Sequence, residues 1–172
     1  MAQSLANIRT RVEALLKGEL GTDLVCPPGR FTIFPSDHDI RVRDIGVLER
    51  GCNVVFPGSR TNVVPVDRMA NKGYYDVPMA IEVGYSLTNA GGDAQEVGGP
   101  LSGSGMYDAL QDRALDDRNI IESCLAFWRN FGGLDPHVID CVALGDRPLE
   151  VLPDRAIMTV TFTLTLAVTL GQ

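Results

Sequence analysis

The chain has 172 residues, 45% of them hydrophobic and 22% charged, with 15 Lys and Arg against 22 Asp and Glu for a net charge of −7. That length suits one domain (1–172) with a sizeable core, and no apolar run reaches the ~20 residues of a membrane-spanning helix, so a soluble protein without a membrane partner is expected. The acidity, unbroken by any basic block, argues against a surface built to grip phosphates, and the opening MAQSLANIRTR lacks the apolar segment of a secretory signal, which makes the cytoplasm the expected place of synthesis.

Residues 4–18 set Leu5, Ile8, Val12, Leu15 and Leu16 at spacings of three and four, with Arg9, Arg11, Glu13 and Lys17 between them. This is the period of an amphipathic helix. Ser4 suits its N-cap, and Gly18 and Gly21 supply its stop. From Gly21 to Asp76, prolines at 27, 28, 35, 57 and 65 forbid a central helix, so short strands and turns are predicted. CNVVF (52–56), Pro57-Gly58-Ser59-Arg60 and TNVVPV (61–66) read as strand, turn and possible return strand. Next, Met79, Ile81, Val83, Tyr85 and Leu87 alternate with Ala80, Glu82, Gly84, Ser86 and Thr88. The alternation predicts a strand with one apolar face and one nearly free of charge.

The glycine-rich NAGGDAQEVGGPLSGSG (89–105) has no period and reads as a long loop, a length usually kept for binding or left unordered. Residues 107–131 resume a helical period, with Leu110, Ala114, Ile121, Leu125, Trp128 and Phe131 near one stripe, widened by Ile120 and Cys124. Asp116 and Asp117 would also suit a fresh helix start, so one helix and two pieces both stay open. HVIDCVAL (137–144) reads as a strand and GDRPLEVLPDR (145–155) as a turn-rich connection. In the last stretch, Met158, Val160, Phe162, Leu164, Leu166, Val168 and Leu170 share one face, and Thr159, Thr161, Thr163, Thr165, Ala167 and Thr169 the other. The two strands form an extended hairpin. The hydroxyl face carries no charge, although strands that face water usually mix in Lys and Glu; it either meets another surface or is simply wet. The element order predicts an α+β fold, with a mixed or mainly antiparallel sheet, the two main helices packed on one face, and the other face uncovered.

Chemistry is sparse along this chain. Cys26, Cys52, Cys124 and Cys141 include no C-x-x-C pair and read as small buried hydrophobes. GSGMYD (103–108) lacks the third glycine of a dinucleotide fingerprint, and no Walker lysine follows. SDHD (36–39), with His137 far away, offers metal-ligand types, but adjacent loop residues seldom converge on one ion, which favours a polar surface turn. Ser102 is not in a G-x-S-x-G elbow. Asp140, inside an apolar strand, reads as a functional carboxylate or as an exposed residue, with Arg147 or Arg155 as partner across the hairpin. No catalytic constellation, cofactor or metal site is expected.

The succession from SLANIRTRVEALLKG through YDVPMAIEVGYSL and DDRNIIESCLAFWRNF to IMTVTFTLTLAVTL resembles the tail terminator (tail completion) family of tailed bacteriophages, whose plan head-tail connector proteins share. The resemblance covers nearly all of the chain and rests on element order; the proline-broken segment 27–76 departs from the compact pattern. It implies a structural virion protein of the tail or neck, made in the host cytoplasm, that forms a homomeric and typically hexameric ring. Such a ring stops tail-tube growth and joins tail to head. The implied partners are further copies of the chain, tail tube and/or sheath proteins, and connector or neck proteins, with DNA passing through without specific binding. On this reading the subunit interface draws on Thr159, Thr161, Thr163, Thr165, Tyr85, Gly98, Gly99 and Leu101. The alternative is a small α+β enzyme or ligand-binding module with 89–105 as its lid and a pocket around His38 or Asp140.

Overall fold

A computed structural model describes residues 5–19, 26–35, 40, 41, 45, 50–57, 61–67, 72–87, 104–126, 138–146 and 148–169. Helix α1 (Leu5–Leu16) buries Ile8, Val12, Leu15 and Leu16, four of the five residues of the predicted stripe. Its end is a Schellman motif: the Gly18 N–H donates to the Leu15 carbonyl and the Glu19 N–H to that of Ala14, each at 3.0 Å. Gly18 takes φ 71°, a left-handed conformation that costs glycine little.

Strands β1 (Thr32–Ile33), β2 (Arg50–Val55), β3 (Thr61–Asp67), β4 (Lys72–Ser86), β5 (Val138–Asp146), β6 (Glu150–Val151) and β7 (Arg155–Thr169) make one sheet, with helix α2 (Ser104–Ala126) inserted between β4 and β5. The sheet order is β1-β2-β4-β7-β5, with β3 also on β4 and β6 also on β7. β1 and β2 run parallel and the other pairs antiparallel, so the sheet is mixed and the fold α+β. All 15 residues of β4 pair with β7, from Lys72↔Thr169 to Ser86↔Arg155. At ~3.4 Å per residue this ribbon is roughly 50 Å long.

The strand, turn and return strand expected over 52–66 is corrected by the register. β2 pairs with residues 80–85 of β4 and β3 with residues 72–76 of the same strand. Both run antiparallel to β4, so β2 and β3 point the same way and are not the two arms of a hairpin, while 58–60 of the expected turn lie outside the described residues. β4 is long enough to host both neighbours end to end, which a shorter strand could not do. The arrangement explains a central proline. Pro78 lies between the stretch of β4 that pairs with β3 (72–76) and the stretch that pairs with β2 (80–85), outside both ladders, so its missing N–H removes no bond to either.

One apolar cluster joins both helices to one face of the sheet: Ile8, Val12 and Leu16 of α1, Ile121 and Leu125 of α2, Cys52 and Val54 of β2, Val77 to Tyr85 of β4, and Met158 to Leu166 of β7. α2 is a single helix through Asp116 and Asp117. No described helix is long and apolar enough to cross a membrane. Trp128, Phe131, His137, 36–39 and most of 89–105 lie outside the described residues.

Candidate interaction surface

What fixes α2 to the sheet is a carboxylate in the middle of its apolar stripe. Leu110, Ala114, Ile121 and Cys124 face the core, and Asp117 occupies the position between Ala114 and Ile121, fully buried. Its Oδ1 accepts Arg30 Nε at 2.7 Å, and its Oδ2 accepts Arg50 Nε at 2.9 Å and the Tyr85 hydroxyl at 3.0 Å. Arg30 also pairs with the exposed Asp116, and Arg113 lies over the Tyr85 ring with its guanidinium carbon 5.5 Å from the centroid. A buried charge is tolerable only when paired and hydrogen-bonded. Asp117 meets that condition with three elements at once: the segment 26–31, β2 and β4. Burial, with the Asp117 carboxylate alongside, pushes the Tyr85 phenol well above its ordinary pKa.

With both helices on one side, the opposite face belongs to the alternate residues. At one end it is covered by the chain itself: Phe34, Ile40 and Ile157 form a second small cluster with Ile45 and Leu152. Paired glycines make room for it. A Cβ on Gly51 would fall 2.5 Å from the Phe34 ring, and one on Gly84 2.5 Å from Ile45 Cδ1. Arg155 Nη1 donates to the Ile40 carbonyl at 3.0 Å, and Arg41 reaches Glu150 at 2.7 Å, fastening the cover across the strands.

Beyond the cover the face carries the threonines. Thr159, paired with Glu82, is 8% exposed, whereas Thr161, Thr163 and Thr165 are half-buried. The Thr161 hydroxyl donates to the Gly145 carbonyl at 2.9 Å and that of Thr165 to Asp76 Oδ1 at 2.8 Å. The row Pro78–Thr163–Val142 crosses three strands without a charge, and Ala80–Thr161–Gly145 runs beside it. β5 forms the sheet edge, and Val142 and Leu144 on it are 48% and 65% exposed.

The structure thus gathers Thr161, Thr163 and Thr165 on one accessible face and corrects the assignment of Tyr85. Tyr85 belongs to the opposite face, enclosed within its own chain, because its parity on β4 is that of Val83 and Ile81. Gly98, Gly99 and Leu101 lie outside the described residues. Asp140 is exposed, and its Oδ1 accepts the Cys141 N–H at 2.9 Å. It aligns with Thr165, ten positions along β7 from Arg155, a separation of ~33 Å, so the expected pairing with Arg155 does not form; Arg155 holds Asp154 instead. Arg147 is outside the described residues.

Sequence reading missed Asp117 and its arginines, although 110, 114, 117, 121 and 124 already trace one helical stripe. It also passed over Val142 and Leu144, whose exposure follows from the edge position of β5. Among the described residues no three His, Cys, Asp or Glu side chains are grouped to hold a metal ion. A recess of about 200 Å³ lies on the helix side between α2 and the β5–β7 connection, lined by Leu115, Arg118, Leu149 and Met158 among others. It is smaller than the ~300–1,000 Å³ typical of ligand sites, and it is away from Asp140. Comparison with models of known protein families and with curated proteins finds no match.

Proposed function

We propose that this chain is a structural virion protein of the tail terminator or neck type, which assembles into a homomeric ring, most simply a hexamer. The observation that carries the reading is the uncharged strip Pro78–Thr163–Val142 beside an edge strand that exposes Val142 and Leu144. An edge with apolar side chains is a liability for a solitary chain and an asset for one that pairs with a neighbour. The two sides of the sheet differ, with β5 and β6 on one and β1 and β3 on the other. A contact between unlike edges is heterologous and closes into a ring when the rotation per subunit allows.

The net charge of −7 is compatible with a passage through which DNA slides, since an acidic surface releases no counterions and offers no grip. The proposed partners are copies of the same chain, tail tube or sheath proteins, and neck proteins; the proposed location is the virion tail. Sedimentation of the isolated chain at high concentration, and electron microscopy after mixing with tail-tube protein, test the reading. Closed rings are the expected result. A monodisperse monomer under both conditions would remove its basis.

A further inference from the structure

Strand register bears on two features of the proposed ring: which edges meet, and which face of the sheet lines the passage. Leu115, Val142, Leu144 and Val151, the exposed large hydrophobic residues among those described, belong to α2, β5 and β6. β5 and β6 lie on the same side of the sheet, and Leu115 borders the recess beside Pro148 and Leu149 of the β5–β7 connection. Apolar surface is thus gathered at one edge. Bulges interrupt the β5 ladder before Asp140 and after Ala143, which leaves Asp140–Ala143 as its regular stretch for a neighbouring strand.

Polarity narrows the choice of that neighbour. β4 and β5 both run antiparallel to β7, and β2 and β3 run antiparallel to β4, so β5 points opposite to β2 and β3. A second copy set beside the first in the same orientation therefore offers β5 an antiparallel mate. β2 is already paired on its outer side with β1, through Gly51 and Cys52. β3 pairs with β4 alone among the described residues, and its TNVVPV carries no charge.

The two strands also stand at different levels. β5 is level with Val160–Leu166 of β7, whereas β3, through Lys72–Asp76 of β4, is level with Thr165–Thr169. The centres, at Thr163 and Ala167, are about 14 Å apart along the strands. Four strands per copy, β3, β4, β7 and β5, advance the sheet by about 19 Å. Joining β5 to the β3 of a next copy combines that stagger with that width, a strand tilt of about 35°, which falls in the range of closed β-barrels. The direction of the stagger selects the inner face. β4 and β5 are parallel, with α2 following β4 and packed on one face, and such crossovers are right-handed. Seen from the helix side with β4 pointing up, β5 is on the right and β3 low on the left, so the next copy on the right is raised. Sheet twist makes the strands of a barrel lean to the right when seen from outside. That lean raises the copy on the right only if the helices are outside.

We propose that β5 of each copy pairs antiparallel with β3 of the next, closing a barrel with α1 and α2 outside and the threonine face toward the passage. The assignment rests on the ring reading and names its contact. Val142, opposite Thr163, then meets Val64 of the next copy, which its own Tyr74 sets level with Ala167. The row Asp76–Thr165–Asp140 comes to the inner wall, where carboxylates repel a phosphate backbone.

The test assembles the full-length Val64→Cys/Val142→Cys double variant, oxidises it mildly, and separates the products without reductant. The expected result is a ladder of covalent oligomers containing a linked peptide pair with positions 64 and 142, while each single variant stays monomeric. Rings seen by electron microscopy without that ladder would overturn the edge assignment and leave the ring reading standing; absence of rings from the unmodified chain would remove both. Covalent dimers from Val142→Cys alone would overturn it too, since two β5 edges would then face each other across a two-fold axis. A second measurement does not depend on the double variant. In rings of the Leu115→Cys and Thr163→Cys variants, a maleimide carried on a large polymer should label position 115 and spare position 163, and equal labelling would overturn the placement of the threonine face.

Discussion

The two faces of the β4–β7 ribbon are made of neighbouring residues and are held in different ways. On the helix side Phe162, Val160 and Ile81 are fully buried, and the helices above them are fixed by Asp117, Arg30 and Arg50. On the other side Thr163, one residue from Phe162, is half-buried, and the cover provided by Phe34, Ile40 and Ile45 ends near Thr159. Alternation alone makes a face apolar or hydroxylic. What lies on it depends on which other parts of the chain reach it: among the described residues one face is closed by two helices, and the other is closed at one end by Phe34, Ile40 and Ile45.

This contrast is open to direct attack. The largest effect is expected from Asp117→Ala, which leaves Arg30, Arg50 and the Tyr85 hydroxyl facing an apolar stripe without their common acceptor. Breaking a buried pair from one side costs about 3–5 kcal/mol, read as a lower urea midpoint; a loss below ~1 kcal/mol would mean that water replaces the carboxylate and that the anchor is not what holds α2.

On the partly covered face, Gly84→Ala pushes a methyl group to 2.5 Å from Ile45 Cδ1 and about 3 Å from Ile40. Those atoms end flexible side chains and can shift, so a cost of about 1–3 kcal/mol is expected, together with faster proteolysis near Ile40 as the cover lifts. Unchanged stability and cleavage would show that the cover is not seated on the paired glycines.

High pH separates the faces again. Burial raises the phenol of Tyr85 and the thiol of Cys52, and it raises Cys141 to about 12, with Asp140 adding to the shift. A group whose folded pKa lies above its unfolded value contributes fully below the unfolded value and loses that contribution as pH rises toward the folded one. Stability should therefore fall above about pH 9, where unfolded thiols ionise, and more steeply above about pH 10, where unfolded tyrosine joins them. Tyr85→Phe should flatten the upper part of that fall in denaturant titrations from about pH 8 to 11. An unaltered slope would mean that Tyr85 ionises as freely in the folded chain as in the unfolded one.

The smallest effect on the monomer is expected from Val142→Lys. Val142 is 48% exposed, so stability should change by no more than about 0.5 kcal/mol. If the proposed ring uses this edge, the same change should abolish assembly in sedimentation experiments. Rings that persist in the Val142→Lys variant would put the subunit contact elsewhere.

Much of this architecture was legible from period and parity. The α1 stripe, its glycine stop, the long last strand with its two unlike faces, and the C-terminal hairpin all follow from local rules, since side-chain direction repeats every 3.6 residues in a helix and every two in a strand. The same rule placed Tyr85 with Val83 and Ile81, and grouping it with the threonines went against it. Three features were decided only by tertiary structure: β2 and β3 share β4 as a common neighbour, Asp117 meets Arg30, Arg50 and Tyr85, and α2 continues through Asp116 and Asp117. Each depends on residues tens of positions apart arriving at one place. Local geometry sets which way a side chain points, but a strand's neighbour and a buried charge's partner are chosen by long-range packing, where the desolvation of one carboxylate outweighs any helix-start preference it has alone.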